Sequence, residues 1–322
     1  MLKRAELGPA VSVLVTVFGK RRPYFKAVTD VLVCTLSHVS NPSAGPLADA
    51  REELHRHKLL VHMREGKIDV DGAIDDFLQA RLDGIYFPPA WYDRLSLEDA
   101  CRVQLGVLRR LVDNGATHLG WKVGLTAEAI QRQFRVREPV FGFLLADGVH
   151  TSPAHLRLDT LIRPGIENEI CATIGDALRG PGVDEARARS AVLSVRAAME
   201  LIETRGPFTE QLAVAIGENV QQKGVILSGV THPLDADFDL ARVQVELRRG
   251  GDIVERATGE AVLGNPLRSI VWLANKLAEY DLALESGQLV MTGSLTRQHL
   301  AQSGDVFEAT WWPFGSVTAE FI

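Results

Sequence analysis

The sequence predicts an α+β fold built on a mixed, rolled β-sheet with an N-terminal helical unit. Three observations carry that prediction. Strand-like runs follow one another after Gly115 without regular βαβ alternation, which argues for a curved or rolled sheet rather than a Rossmann sheet. Two helical patterns precede them, between Val70 and Val112. The run Pro164-Gly-Ile-Glu-Asn-Glu-Ile-Cys-Ala-Thr-Ile174 opens on a turn signal, is rich in β-branched residues and suits a single strand.

With 322 residues and 46% hydrophobic content, the chain can bury one large core or two smaller ones. A net charge of −6 gives no support to a nucleic-acid partner. Cys34, Cys101 and Cys171 lie far apart with no Cys-x-x-Cys pair, which argues against a disulfide framework or a thiolate zinc site and for a reducing, cytoplasmic compartment.

Residues 1–66 read as an extension of uncertain order. The apolar run Val11 to Phe18 is too short to span a bilayer, and Lys20, Arg21, Arg22 and Lys26 follow it, so we expect neither signal peptide nor membrane anchor. Ser40 to Gly45 reads as a loop and Leu47 to Met63 as a solvated helix. His55, His57 and His62 in that helix are not spaced i,i+4, which argues against metal ligation by them. The contrast with the remaining chain suggests Met63 as an alternative start, a hypothesis that native protein beginning at Met1 would remove.

Residues 67–115 read as a helical cap. Val70, Ala73, Ile74, Phe77 and Leu78 form an apolar stripe on a helix from Val70 to Leu82. Ser96-Leu-Glu-Asp99 resembles a capping box, opening a helix that runs to about Val112 and ends near Asn114-Gly115. The Phe87-Pro-Pro89 loop joins the two.

Residues 116–322 read as the metal-binding catalytic domain. Its predicted strands are Leu119–Val123, Phe141–Leu145, Ile166–Ile174, Ala191–Ile202, Gly224–Leu227, Val243–Leu247, Gln288–Thr292 and Val317–Phe321, with helices over Asp184–Ser190 and Pro266–Tyr280. No phosphate loop, Gly-x-Gly-x-x-Gly or Gly-x-Ser-x-Gly is present, which removes weight from nucleotide-dependent chemistry and serine hydrolysis. On the 164–174 strand, Glu167 and Glu169 share a face about 6–7 Å apart, opposite Ile166, Ile170 and Ile174. Turned inward, two carboxylates call for a hard cation such as Mg²⁺ or Mn²⁺. Turned outward, they are ordinary solvated charges.

Gly120-Trp-Lys-Val-Gly-Leu-Thr126, Glu167-x-Glu169, Ala198-Met-Glu200, Gly264-Asn-Pro266, Thr292-Gly-Ser-Leu295 and Gly304-Asp305 occur in an order that resembles the fumarylacetoacetate hydrolase superfamily. The likeness, over roughly Ile68 to Ile322, is to its 2-keto-4-pentenoate hydratase and 4-oxalocrotonate decarboxylase branch. The resemblance implies a fumarylacetoacetate hydrolase-like sheet and one Mg²⁺ or Mn²⁺ held by Glu167, Glu169 and Glu200, with Glu203 as the rival to Glu200. It further implies Lys122 as the active-site lysine, a 2-oxo or 2-hydroxydienoic acid as substrate, and a homo-oligomer.

The expected chemistry is polarisation at C2, proton shift between C3 and C5, and water addition at C4, or alternatively loss of CO₂ or C–C hydrolysis. Asp147 and Glu218 are expected as further catalytic groups. Leu125, Arg205, Gly293 and Ser294 are expected to bind substrate. Three departures from the family pattern stand out: apolar Val140 in Pro139-Val-Phe-Gly142, Glu218 and Gln221 in Gly217-Glu-Asn-Val-Gln221, and Asn265 in Gly264-Asn-Pro266. They leave a non-catalytic 2-oxo-acid-binding protein as the competing class.

Overall fold

The computed structural model describes residues 68–322, together with two paired antiparallel strands, β1 (Leu2–Leu7) and β2 (Val11–Thr16). The Leu47–Met63 helix with its histidines, Cys34 and the Met63 boundary lie outside the described residues. Ile68–Ile322 forms one compact unit, in which the helical pair packs with the sheet.

Helix α1 (Val70–Leu82) is capped by the Asp69 side chain, which accepts from the Gly72 amide, and buries Ala73, Ile74 and Phe77. Helix α2 (Leu97–Asp113) starts as the capping signal predicts, with the Ser96 hydroxyl accepting from the Asp99 amide. Gln104, fully buried on α2, donates to the carbonyls of Phe141 (3.0 Å) and Ile216 (2.8 Å), which pins the helix to the sheet.

From there the elements run β3 (His118–Gly124), α3 (Glu128–Phe134), β4 (Val140–Leu145), β5 (Val149–Thr151), β6 (Ala154–Leu156) and β7 (Pro164–Ile174). They continue with α4 (Glu185–Ala191), β8 (Val192–Glu203), α5 (Leu212–Gly217), β9 (Gln222–Leu227), β10 (Gln244–Arg249) and β11 (Asp252–Thr258). The chain closes with α6 (Leu267–Ala278), β12 (Leu289–Ser294), β13 (His299–Leu300), β14 (Val306–Trp312) and β15 (Gly315–Phe321). Among the described residues, no helix is long and apolar enough to cross a membrane.

The larger sheet has the order β4-β3-β12-β7-β8-β9-β5, with β13 also on β7; β12–β3 and β5–β9 pair in parallel and the remaining neighbours antiparallel. A second sheet, β11-β10-β14-β15-β6, completes the mixed α+β architecture. The larger sheet rolls until β4 meets the segment leading into β9. Asn219 joins the two: its Oδ1 accepts from the Phe143 amide at 2.7 Å and its Nδ2 donates to the Phe143 carbonyl at 2.9 Å. One side-chain amide thereby pairs with the edge strand as a neighbouring backbone would.

The predicted strands are present with ends displaced by at most two residues. Strands β5, β6, β11, β13 and β14 were not foreseen, although Phe307, Ala309 and Trp311 of β14 alternate inward as a half-buried strand requires. Helix α3 was also missed because it buries no residue and therefore leaves no apolar stripe.

Candidate metal centre

Parity along the two central strands builds the site. Glu167 of β7 stands directly opposite Glu200 of β8, and Glu169 opposite Ala198, so the three glutamates share one face. One carboxylate oxygen from each lies within 4.8 Å of the others. Glu169 and Glu200 are buried, whereas Glu167 is half-buried at the open side. Leu144, Cys171, Ala198, Val225, Leu227 and Met291 form an apolar cluster inside the same roll.

Lys122 on β3 is buried and places Nζ 3.4 Å from Glu200 Oε1. The Gly293 amide on β12 donates to Glu169 Oε2 at 2.8 Å. Gly293 has φ +114°, and a Cβ there would stand 2.6 Å from Thr126 Cγ2, so a side chain would push this donor away from the carboxylate. At Gly142 a Cβ would meet Asn219 Oδ1 at 2.9 Å and the Lys122 stem at 3.2 Å, and its absence lets both pass.

Three formal negative charges face the single positive charge of Lys122, leaving a deficit of two. Burial and then the neighbouring Glu200 push the Glu167 carboxyl up to about 7. Burial, Glu200 and Glu167 drive Glu169 well above its usual range, and burial raises Glu200 against the pull of Lys122. Glu169 Oε1 and Glu200 Oε1 are buried with no hydrogen-bond partner. Hard oxygen donors, a two-charge deficit and two unsatisfied buried oxygens fit a divalent cation.

Residues 219–221 shape the wall beside the ammonium. Asn219, Val220 and Gln221 hold φ of 65°, 52° and 60°, a left-handed run without glycine and costly for β-branched Val220. A Cβ built on Gly124 would stand 3.4 Å from Lys122 Nζ, 3.4 Å from Val140 Cγ2 and 3.8 Å from Val220 Cγ1, so the ammonium and the two valines border the same space beside Gly124.

The other expected residues distribute unevenly. Ser294 pairs with Glu169 across the strands and donates its hydroxyl to the Thr296 carbonyl at 2.7 Å. Leu125 is half-buried just past β3, with φ 54° and its carbonyl held by Gln131 Nε2. Glu203 falls on the other parity of β8 from Glu200, accepting from Arg205 Nε at 2.9 Å and from the Ile162 amide at 2.9 Å. Arg205 and Asp147 line a different pocket, together with Leu201, the residue after Glu200 and therefore on the reverse face of β8. Glu218 is buried and accepts from the Phe87 amide at 2.7 Å. Sequence reasoning missed the Gly293 amide as the partner of Glu169. The Thr292-Gly-Ser motif was its one trace.

The sequence profile described as fumarylacetoacetate (FAA) hydrolase C-terminal matches residues 123–322. A 2-oxo-hept-4-ene-1,7-dioate hydratase of Escherichia coli is 35% identical over 72% of this chain and 89% of its own length. A 4-oxalocrotonate decarboxylase of Pseudomonas putida is 32% identical over 72% of this chain and 88% of its own. The solved 4-oxalocrotonate decarboxylase from Pseudomonas putida G7, complexed with magnesium and adipate, superposes with a TM-score of 0.74 at 30% identity, covering 79% of this chain and 97% of that one.

Proposed function

As the chain belongs to the fumarylacetoacetate hydrolase family, we propose that it is a divalent-metal-dependent hydratase adding water to a 2-hydroxydienoic or 2-oxo-enoic acid in aromatic-compound catabolism. The observation that carries this reading is the triad Glu167, Glu169 and Glu200, two of its members buried and two of its oxygens without a hydrogen bond, set against Lys122. These three glutamates would hold Mg²⁺ or Mn²⁺, which supplies Lewis acidity toward the carboxylate and C2 oxygen of a 2-oxo acid. Lys122 Nζ is positioned to hold a proton and move it between C3 and C5, so that water adds at C4. The Gly293 amide fixes one ligand oxygen, while Leu125 and the 293–294 backbone border the substrate.

Decarboxylation is the second reading. The similarity to 4-oxalocrotonate decarboxylases favours it, as does the apolar Val140 beside Lys122, which offers no carboxylate to guide a water. The proposed enzyme is a homo-oligomer in a reducing cytoplasm. Leu82 and Ile85, both exposed near the end of α1, supply adjacent apolar surface for assembly, and Cys101 and Cys171 are free.

The test is ultraviolet-monitored loss of 2-hydroxypenta-2,4-dienoate by chelator-treated protein, with Mg²⁺ or Mn²⁺ restored and the product identified by mass. Metal-dependent 4-hydroxy-2-oxopentanoate supports hydration. Carbon dioxide release from a 2-oxo-enedioic acid, without that product, moves the assignment to decarboxylation.

A further inference from the structure

A pocket of about 240 Å³ opens on the reverse face of β8 from the triad. Arg81, Arg157, Arg205 and Lys223 line it with His150 and His155, and Asp147 is its single acidic lining residue. Three of these groups are already partnered: Arg157 with Asp159, His155 with Glu320, and Arg205 with Glu203. The Arg81 and Lys223 side chains make no hydrogen bond or ion pair among the described residues.

Arg205 is built like a receptor. Its side chain is 1% exposed; Nε donates to Glu203 Oε2 at 2.9 Å, Nη2 donates to the Gln222 carbonyl at 3.0 Å, and the guanidinium lies 4.2 Å from the centre of the Tyr86 ring. Nη1 remains buried with no partner. A guanidinium locked on two edges and by stacking has lost its rotamer freedom, so an incoming acceptor meets a donor already in place. Arg81 lies close enough to Arg205 that the two cations disfavour each other, and the buried Glu218 carboxylate, which also accepts from the Phe87 amide, offsets them only in part. Lys223 adds positive charge beside His150.

We propose that this pocket is a second binding site, taking a small oxyanion, carboxylate or phosphate, between Arg205 Nη1, Arg81 and Lys223. Fork-shaped guanidinium donors and a flexible ammonium suit such an anion, and the volume suits an anion of a few heavy atoms. The inference stands on charges and an orphan donor outside the triad and is independent of the reaction assigned above.

Calorimetric titration and thermal melts of the full, metal-free chain test it, with inorganic phosphate and with succinate against chloride at equal ionic strength. We expect a saturable heat and a rise in melting temperature with at least one of the two. Arg81→Gln combined with Lys223→Gln should weaken the binding tenfold or more while keeping the wild-type response to Mg²⁺. Glu169→Gln should bind the anion as wild type does. Response to phosphate alone, or to succinate alone, identifies the source of the oxyanion. No saturable effect beyond chloride, undiminished binding in the double variant, or loss of binding in Glu169→Gln would each overturn the proposal.

Discussion

Glu169→Gln should make the metal-free protein more stable and the metal-loaded protein less so. Glutamine keeps an acceptor for the Gly293 amide, now at 2.8 Å from Glu169 Oε2, and removes one of three charges whose oxygens lie within 4.8 Å. At that separation each repulsive pair is worth about 3.5 kcal/mol for an effective dielectric near 20. Partial protonation relieves some of that repulsion, so about 2–4 kcal/mol, or roughly 5–10 °C in melting temperature, is the expected gain at pH 8. The sign follows from linkage: a carboxyl whose folded pKa is raised loses stability as pH rises from the unfolded value through the folded one. The gap between variant and wild type should therefore shrink at pH 5. Saturating Mg²⁺ stabilises the wild type by about 2.7 kcal/mol at a hundredfold excess over Kd, and the variant should lack that rise. Thermal melts with and without Mg²⁺ at both pH values provide the assay. A variant that is destabilised without metal, or that keeps the full Mg²⁺ response, would refute the reasoning.

Three further outcomes are expected. Lys122→Met should lower kcat by about 10²–10⁴-fold while Mg²⁺ still raises the melting temperature, a split that separates proton transfer from metal holding. Burial pushes Glu218 up to about 7 from 4.5, so its ionisation costs stability as pH rises through that window; urea unfolding at pH 5.5 and 8.5 should show Glu218→Gln gaining about 2–3 kcal/mol on the wild type at the higher pH. Asn219→Ala strands the Phe143 amide and carbonyl and places alanine at φ 65°, and chemical denaturation should report a loss of about 3–5 kcal/mol.

Strand parity made much of the centre legible. Glu167 and Glu169 could be placed on one face from their spacing alone, but whether that face turned inward depended on β8 and β12, which local pattern does not reveal. Glu200 was preferred with Glu203 as its rival; because β8 runs through both, their three-residue separation on a strand sends them to opposite faces. Lys122 came from an ordered set of short motifs rather than from any single one. Asp147 was expected as a replacement acid, Arg205 as a carboxylate partner and Glu218 as the counterpart of the family's aspartate; where the three sit follows from turns and from the packing of the helical pair, which leave no periodic mark. Gly293 illustrates the same limit at the backbone. Its motif was visible in the sequence, whereas the amide's contribution arises from a strand crossing.

The clasp between Asn219 and Phe143 places a hydrolysable side-chain amide in the seam that closes the roll, beside the two hydrogen bonds of Gln104. Deamidation would replace its donor with a carboxylate oxygen aimed at the Phe143 carbonyl, turning an attraction into a repulsion inside the seam. Asn219 is 1% exposed, and the same fold that depends on the amide shields it from water. Any deamidation at Asn219, slowed further by the bulk of the following Val220, should therefore be confined to molecules whose roll has opened, and a product formed there should not close again.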